Sequence, residues 1–272
     1  MKQGSKQLGK AFLGLALGLV WLIPFYLMVT NSFKTKQEIF TNPLKFPEAF
    51  TFENYPEAFR QLDFIRTLAN SLLITVSSVI VIVIFSAMAA YALERIKSKF
   101  STITFMVFVA AMLVPFQSVM IPLVALFGKA QMLNQIGIIF MYLGFGGSMS
   151  IFLYHGAMKS ITRALDEAAI IDGASRWQVF WKVIFPMLKP TTVTVAVLNT
   201  MWIWNDYLLP SLVINSPTTQ TIPLKMFFFF GQYTKQWHLA LAGLVIAILP
   251  VIIFYFFMQK QIIKGVADGA VK

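Results

Sequence analysis

A chain of 272 residues with 58% apolar and only 12% charged residues has too little polar surface to cover a soluble core, which excludes an ordinary soluble enzyme. The absence of cysteine excludes disulfides and thiolate metal sites. A net charge of +11 would suit nucleic acid, but the basic residues fall in the gaps between apolar stretches, the pattern of membrane loops.

Six apolar stretches, at residues 11–30, 71–91, 105–127, 136–154, 191–214 and 239–257, each come near the roughly 20 residues that cross about 30 Å of hydrocarbon. The first follows Lys2, Lys6 and Lys10, as a secretory signal would. Its apolar run is too long and no small-residue cleavage site closes it, so it reads as a retained helix. Gly14 and Gly18 within it have the spacing of a close helix contact. Residues 34–66 mix both charge signs with Pro43, Pro47 and Pro56 and read as an ordered outer loop with a short helix near 56–62. The third stretch carries Pro115 and Pro122 and is expected to kink.

The fifth stretch is the most polar. Asn199, Trp202, Asn205 and Asp206 are candidates for a translocation path or outer gate, because polar groups in a span usually face the bundle interior. The other reading makes Asn199 glue between helices and places Trp202 and Trp204 in an interfacial aromatic belt. His155 and His238 read as polar anchors at helix ends, not as metal ligands or bases, so neither a catalytic nor a metal site is expected.

Loop charges set the orientation. With the amino terminus inside, the inner segments hold Lys2, Lys6, Lys10, Arg95, Lys97, Lys99, the basic residues of the loop at 160–190, and Lys260, Lys264 and Lys272. Basic residues outnumber acidic ones far more strongly there than outside, which places both termini and the tail at 259–272 in the cytoplasm.

The inner loop is the informative segment. Ile170, Ala174, Trp177, Trp181 and Ile184 recur at steps of three or four, marking a helical stripe. Asp172-Gly173 interrupts it, and Gly accepts the left-handed conformation that ends a helix. Ser175-Arg176-Trp177-Gln178 then fits a capping box, while Pro186 and Pro190 separate the element from the fifth span. Two short helices joined at Gly173 are therefore expected. Ala168 and Ala169 allow close approach of a partner backbone, and Glu167 offers a charge to a partner Arg or Lys. A helix lying on lipid headgroups is the other reading; Asp166 and Glu167 run against an anionic leaflet.

Glu167-Ala168-Ala169, Gly173 and Val183-Ile184-Phe185-Pro186 resemble the EAA motif of permease subunits in binding-protein-dependent ABC importers. Val183 and Phe185 stand where that motif usually has Ile and Leu, and Thr162, where relatives often have Pro, still suits a helix N-cap. Asn70-Ser71-Leu72, Trp204-Asn205-Asp206-Tyr207-Leu208-Leu209-Pro210 and Gly269-Ala270-Val271-Lys272 extend the resemblance over nearly the whole chain. They are similar to the sugar-transporting branch, in particular its second permease of the maltose-transporter (MalG) type.

The resemblance implies an all-α membrane protein with six transmembrane helices in the type I ABC importer (MetI-like) permease fold, forming a single domain over residues 1–272 of a bacterial cell membrane. It implies a second, MalF-like permease, two ATPase subunits and an extracytoplasmic solute-binding protein as partners, with membrane lipid around them and no nucleic acid. It makes Glu167, Ala168, Ala169, Asp172, Gly173, Trp177 and Pro186 the ATPase-coupling residues. It also brings the tail near the ATPase, against a plain solvated tail as the alternative, and residues 215–238, with the run at 227–230, near the binding protein. No G-x-x-x-x-G-K-[ST] occurs, so the chain is expected to bind no cofactor, with ATP and Mg used by the partner ATPase.

Rival classes lack their signatures. No His-Glu-x-x-His, Gly-x-Ser-x-Gly or intramembrane carboxylate pair supports an enzyme. A secondary transporter predicts mid-span charges and repeats, which are missing. The same role for another solute, such as an amino acid, a metal ion, a polyol or a phosphate ester, remains the nearest alternative.

Overall fold

Apolar runs this long leave the backbone no partner but itself, so helices dominate. The structure is a computed structural model that describes residues 2–231 and 235–270, with side chains at 11–231 and 235–259. In chain order the helices are α1 (Lys2–Ser32), α2 (Lys36–Thr41), α3 (Asn54–Gln61), α4 (Phe64–Arg95), α5 (Lys99–Ala111), α6 (Phe116–Lys129), α7 (Gln135–Met158), α8 (Ala164–Ile171), α9 (Arg176–Gln178), α10 (Phe185–Met187), α11 (Lys189–Asn205), α12 (Leu208–Val213), α13 (Ile222–Met226) and α14 (Trp237–Ala270). A π-helical turn at Val179–Ile184 joins α9 to α10. Among the described residues the only β pairing is one isolated bridge, Phe230 to Lys235.

Four helices are each long and apolar enough to cross a membrane, and two bent pairs bring the number to as many as six. The kink expected in the third stretch is a full break. α5 and α6 meet at 106°, with Pro115 as the residue that caps α6 and Pro122 inside it. Pro115 has no N–H to continue a helix, and it pushes Val114 out of the helical region. The fifth stretch is also interrupted, at Asp206 and Tyr207, and α11 itself bends by 76° from the helical segment Arg176–Met187. The sixth runs on as helix to Ala270, through the expected tail; side chains beyond 259, and residues 271–272, lie outside the described residues, as do the side chains of Lys2, Lys6 and Lys10.

The chain divides into two compact units. The first comprises Met1–Phe64 and Lys225–Ile253. Its apolar helix α1 is exposed along its membrane-length window, and Gly14 and Gly18 face open space. Beyond α1 the loop at residues 34–66 is held by Lys34, which is fully buried. Its Nζ donates to Asn31 Oδ1 at 3.0 Å and to the carbonyls of Asn42 at 2.8 Å and Lys45 at 2.6 Å. Asn54, at the start of α3, donates to the Ser32 and Lys34 carbonyls. The short helix expected near 56–62 is α3, slightly earlier.

The second unit, Ile65–Leu224 and Phe254–Lys272, carries the larger core. Ile74, Ile82, Ile138, Met141, Tyr154, Val179, Ile184, Val195 and Ile203 bring α4, α7, α11 and the loop segment together. Small residues permit this closeness: a Cβ at Gly146 would lie 2.7 Å from Ile82 Cδ1 and against Asn199 Oδ1.

Candidate functional site: a clamped two-helix loop

The loop between α7 and α11 starts with Thr162, whose hydroxyl accepts from the Ala164 N–H at 3.4 Å. α8 ends as the sequence predicts. Gly173 has φ +86, its N–H donates to the Ile170 carbonyl, and the Ala174 N–H donates to the Ala169 carbonyl. These two bonds are the Schellman pair, which closes carbonyls that a helix end leaves free. Ser175 then caps the next helix: its hydroxyl accepts from Gln178 N–H at 3.3 Å, and Gln178 Oε1 accepts from Ser175 N–H at 2.8 Å.

The expected stripe packs only in part: Ala174, Trp181 and Ile184 lie in or against the core. Val179, Phe180 and Ile184 are buried, whereas Ile170 and Trp177 are exposed. Gly173 resets the helical phase, so residues on either side of it no longer share a face. The π-helical turn was also not expected; Pro186 lacks an N–H and its ring crowds the carbonyl of Lys182, which a wider turn relieves. Pro186 therefore sits within a continuing helical segment, and the separation from α11 falls at Leu188.

The predicted coupling residues divide by exposure. Glu167, Ala168, Asp172, Gly173, Trp177 and Pro186 are exposed, together with Ile171 at 85%, whereas Ala169 is turned partly into the core. Trp177 meets Trp181 edge to face at 5.6 Å.

What sequence reasoning missed lies beneath this face. Asp166 is buried. Its Oδ2 lies 2.8 Å from Arg95 Nη2, and its Oδ1 accepts from Tyr91 OH at 2.7 Å and from Arg95 Nε at 3.2 Å. Arg95 also donates to the Ile161 carbonyl. Arg163 returns the contact, donating to the carbonyls of Glu94 at 2.8 Å and Arg95 at 2.9 Å, the last free acceptors of α4. The Tyr91 ring meets that of Phe180 at 5.4 Å. His155 lies 3.3 Å from Glu94 and stacks on Phe105, as an anchor does. The partners are some 70 residues apart, so only a long-range pairing signal would have revealed them.

The path candidates of α11 behave differently. Asn199 is buried and donates to Ser150 Oγ at 3.1 Å and the Val195 carbonyl at 2.8 Å. Asp206 accepts from the N–H groups of Leu208 and Leu209, which caps α12, and from Tyr142 OH at 3.0 Å. Trp202 is partly exposed, edge-on to Tyr142, and Asn205 folds back on the Met201 carbonyl. Among the described residues no group of three or more His, Asp or Glu could hold a metal ion.

The profile of a family described as "Binding-protein-dependent transport system inner membrane component" matches residues 82–268, from within α4 through the clamped loop to α14. The chain belongs to that family. Members similar to it include the probable starch degradation products transport system permease protein AmyC of Thermoanaerobacterium thermosulfurigenes, 57% identical over 96% of this chain and 95% of the relative. Another is the multiple sugar-binding transport system permease protein MsmG of Streptococcus mutans, 37% identical over 94% and 93%. A third is the melibiose/raffinose/stachyose import permease protein MelC of Bacillus subtilis, 34% identical over 92% and 91%. The fold matches a chain in the crystal structure of a bacterial ABC transporter involved in the import of the acidic polysaccharide alginate, with a TM-score of 0.76 at 24% identity over 94% of this chain and 97% of that one. The helical permease fold expected from the sequence is therefore the observed one.

Proposed function

We propose that this family member is one of two permease subunits of an ATP-driven importer for a carbohydrate, and that residues 164–187 are where a partner ATPase docks. The observation that carries the docking is the division within the loop. One side is anchored by Asp166 and Phe180. The other presents Glu167, Ala168, Ile171 and Trp177 as exposed side chains, Trp177 meeting only the edge of Trp181 among the described ring contacts. An exposed apolar group beside the carboxylates of Glu167 and Asp172 suits a protein cleft carrying a complementary cation.

Carbohydrate as solute class follows from the similar proteins, whose names speak of starch degradation products, multiple sugars and melibiose, raffinose or stachyose. In this reading ATP and Mg are held by the ATPase, a binding protein delivers the solute on the outer side, and closure of the ATPase pair moves the loop as a rigid lever. The asymmetry of basic residues supports a cytoplasmic position for both termini. Glu167→Lys and Gly173→Asp are expected to leave the protein in the membrane while abolishing the link between ATP hydrolysis and uptake. Unchanged sugar uptake by both variants in vesicles would overturn the docking assignment.

A further inference from the structure

α8 and the inner-loop end of α4 are joined by more than packing. Asp166 takes two donors from α4, Tyr91 OH and Arg95, and the Asp166 and Arg95 side chains are 11% and 13% exposed. Arg163 closes the circuit on the carbonyls of Glu94 and Arg95. Tyr91 additionally lays its ring against Phe180, in the half of the loop beyond Gly173. Both halves are thus tied to one helix end, through charge-assisted bonds on one side and an aromatic contact on the other. Water is largely excluded from the pair, so its attraction is little screened and separating the two charges is strongly unfavourable.

We infer that Arg95, Asp166 and Tyr91 are positioning residues that make the loop and the end of α4 one moving body, so that a push on the loop is delivered to α4 as directly as to α11. The inference rests on the docking reading and adds which span receives the motion. α11 follows the loop across the 76° bend at Leu188 and shares apolar packing with it through Val179 and Ile184. α4 is joined through a buried ion pair that cannot stretch without breaking. Two discrete outcomes follow for the loop, moving together with α4 or breaking the pair and parting from it, and a two-state element of this kind is what transmits a switch.

The absence of cysteine makes a distance test direct. Spin labels go on exposed positions as Ala92→Cys with Ala164→Cys, and as Ala164→Cys with Ile136→Cys, in the assembled transporter through its ATP cycle. The expected result is a constant separation for the first pair and a changing one for the second. A first pair that separates as the loop moves overturns the inference, whereas a loop that does not move at all overturns the docking reading instead. Arg95→Gln and Asp166→Asn are expected to cut the stimulation of ATP hydrolysis by solute-loaded binding protein by about 5- to 150-fold, the range of ordinary coupling free energies. The exchange Arg95→Asp with Asp166→Arg is expected to restore part of it. Tyr91→Phe keeps the ring and removes one donor, so it assembles and shows a smaller loss. Full coupling in Tyr91→Phe together with either charge variant would show a merely structural contact and sink the proposal.

Discussion

The loop between α7 and α11 and the α11–α12 region both carry polar residues that stand out in the sequence, yet they are wired in opposite ways. In the loop, Glu167 points away from the chain and its neighbour Asp166 points into it. In α11 and its end, Asn199 and Asp206 already have their partners, in Ser150, Val195, Tyr142 and the first turn of α12. A polar group whose bonds are closed within its own chain is doing a structural task, while a projecting one beside bare apolar surface awaits something else. The difference therefore separates the loop face, where Glu167 projects beside exposed apolar side chains, from α11 and its end, where Asn199 and Asp206 are satisfied within the chain.

The largest expected effect tests the loop's own anchor. Asp166→Ala leaves Arg95 buried without its charge partner, which costs roughly 3–5 kcal/mol, read as a large fall in the thermal midpoint of the purified subunit or complex. A midpoint near wild type would mean that the pair is not needed to hold α8. Next comes Asn199→Ala, expected to cost about 1–3 kcal/mol by opening a buried contact between α7 and α11. Uptake should fall only as the amount of folded protein falls, with solute preference unchanged; an altered preference would move Asn199 into the path. Ser175→Ala removes half of the capping box and is expected to cost about 1 kcal/mol, with uptake reduced more than stability because it loosens the turn beside Gly173. Smallest in stability is Glu167→Ala, within about 0.5 kcal/mol of wild type as for other exposed sites. It alone should weaken retention of the ATPase on the purified subunit, and unchanged retention would contradict the contrast between adjacent residues 166 and 167.

Much of the loop was legible locally. Gly173, the capping box at Ser175 and Gln178, and the break between two helices depend on residues within five positions of each other, and backbone donors and acceptors at helix ends have few local solutions. The burial pattern was legible only in part, for Ala174, Trp181 and Ile184, because a stripe drawn across Gly173 assumes an unbroken helical phase. Likewise Pro115 announced a disturbance in the third span, but the size of the bend depends on what packs inside it.

By itself, then, the sequence determined a multi-span helical chain, its turn and cap positions and its family likeness, since apolar length, glycine and proline act through the local backbone. Only the tertiary structure decided that Asp166 and not Glu167 is locked to Arg95, that Lys34 is buried in a cage of carbonyls, and that Asn199 and Asp206 spend their hydrogen bonds at home. Those choices depend on groups brought together from distant positions, and a charge or an amide carries no mark in sequence of which partner will reach it first.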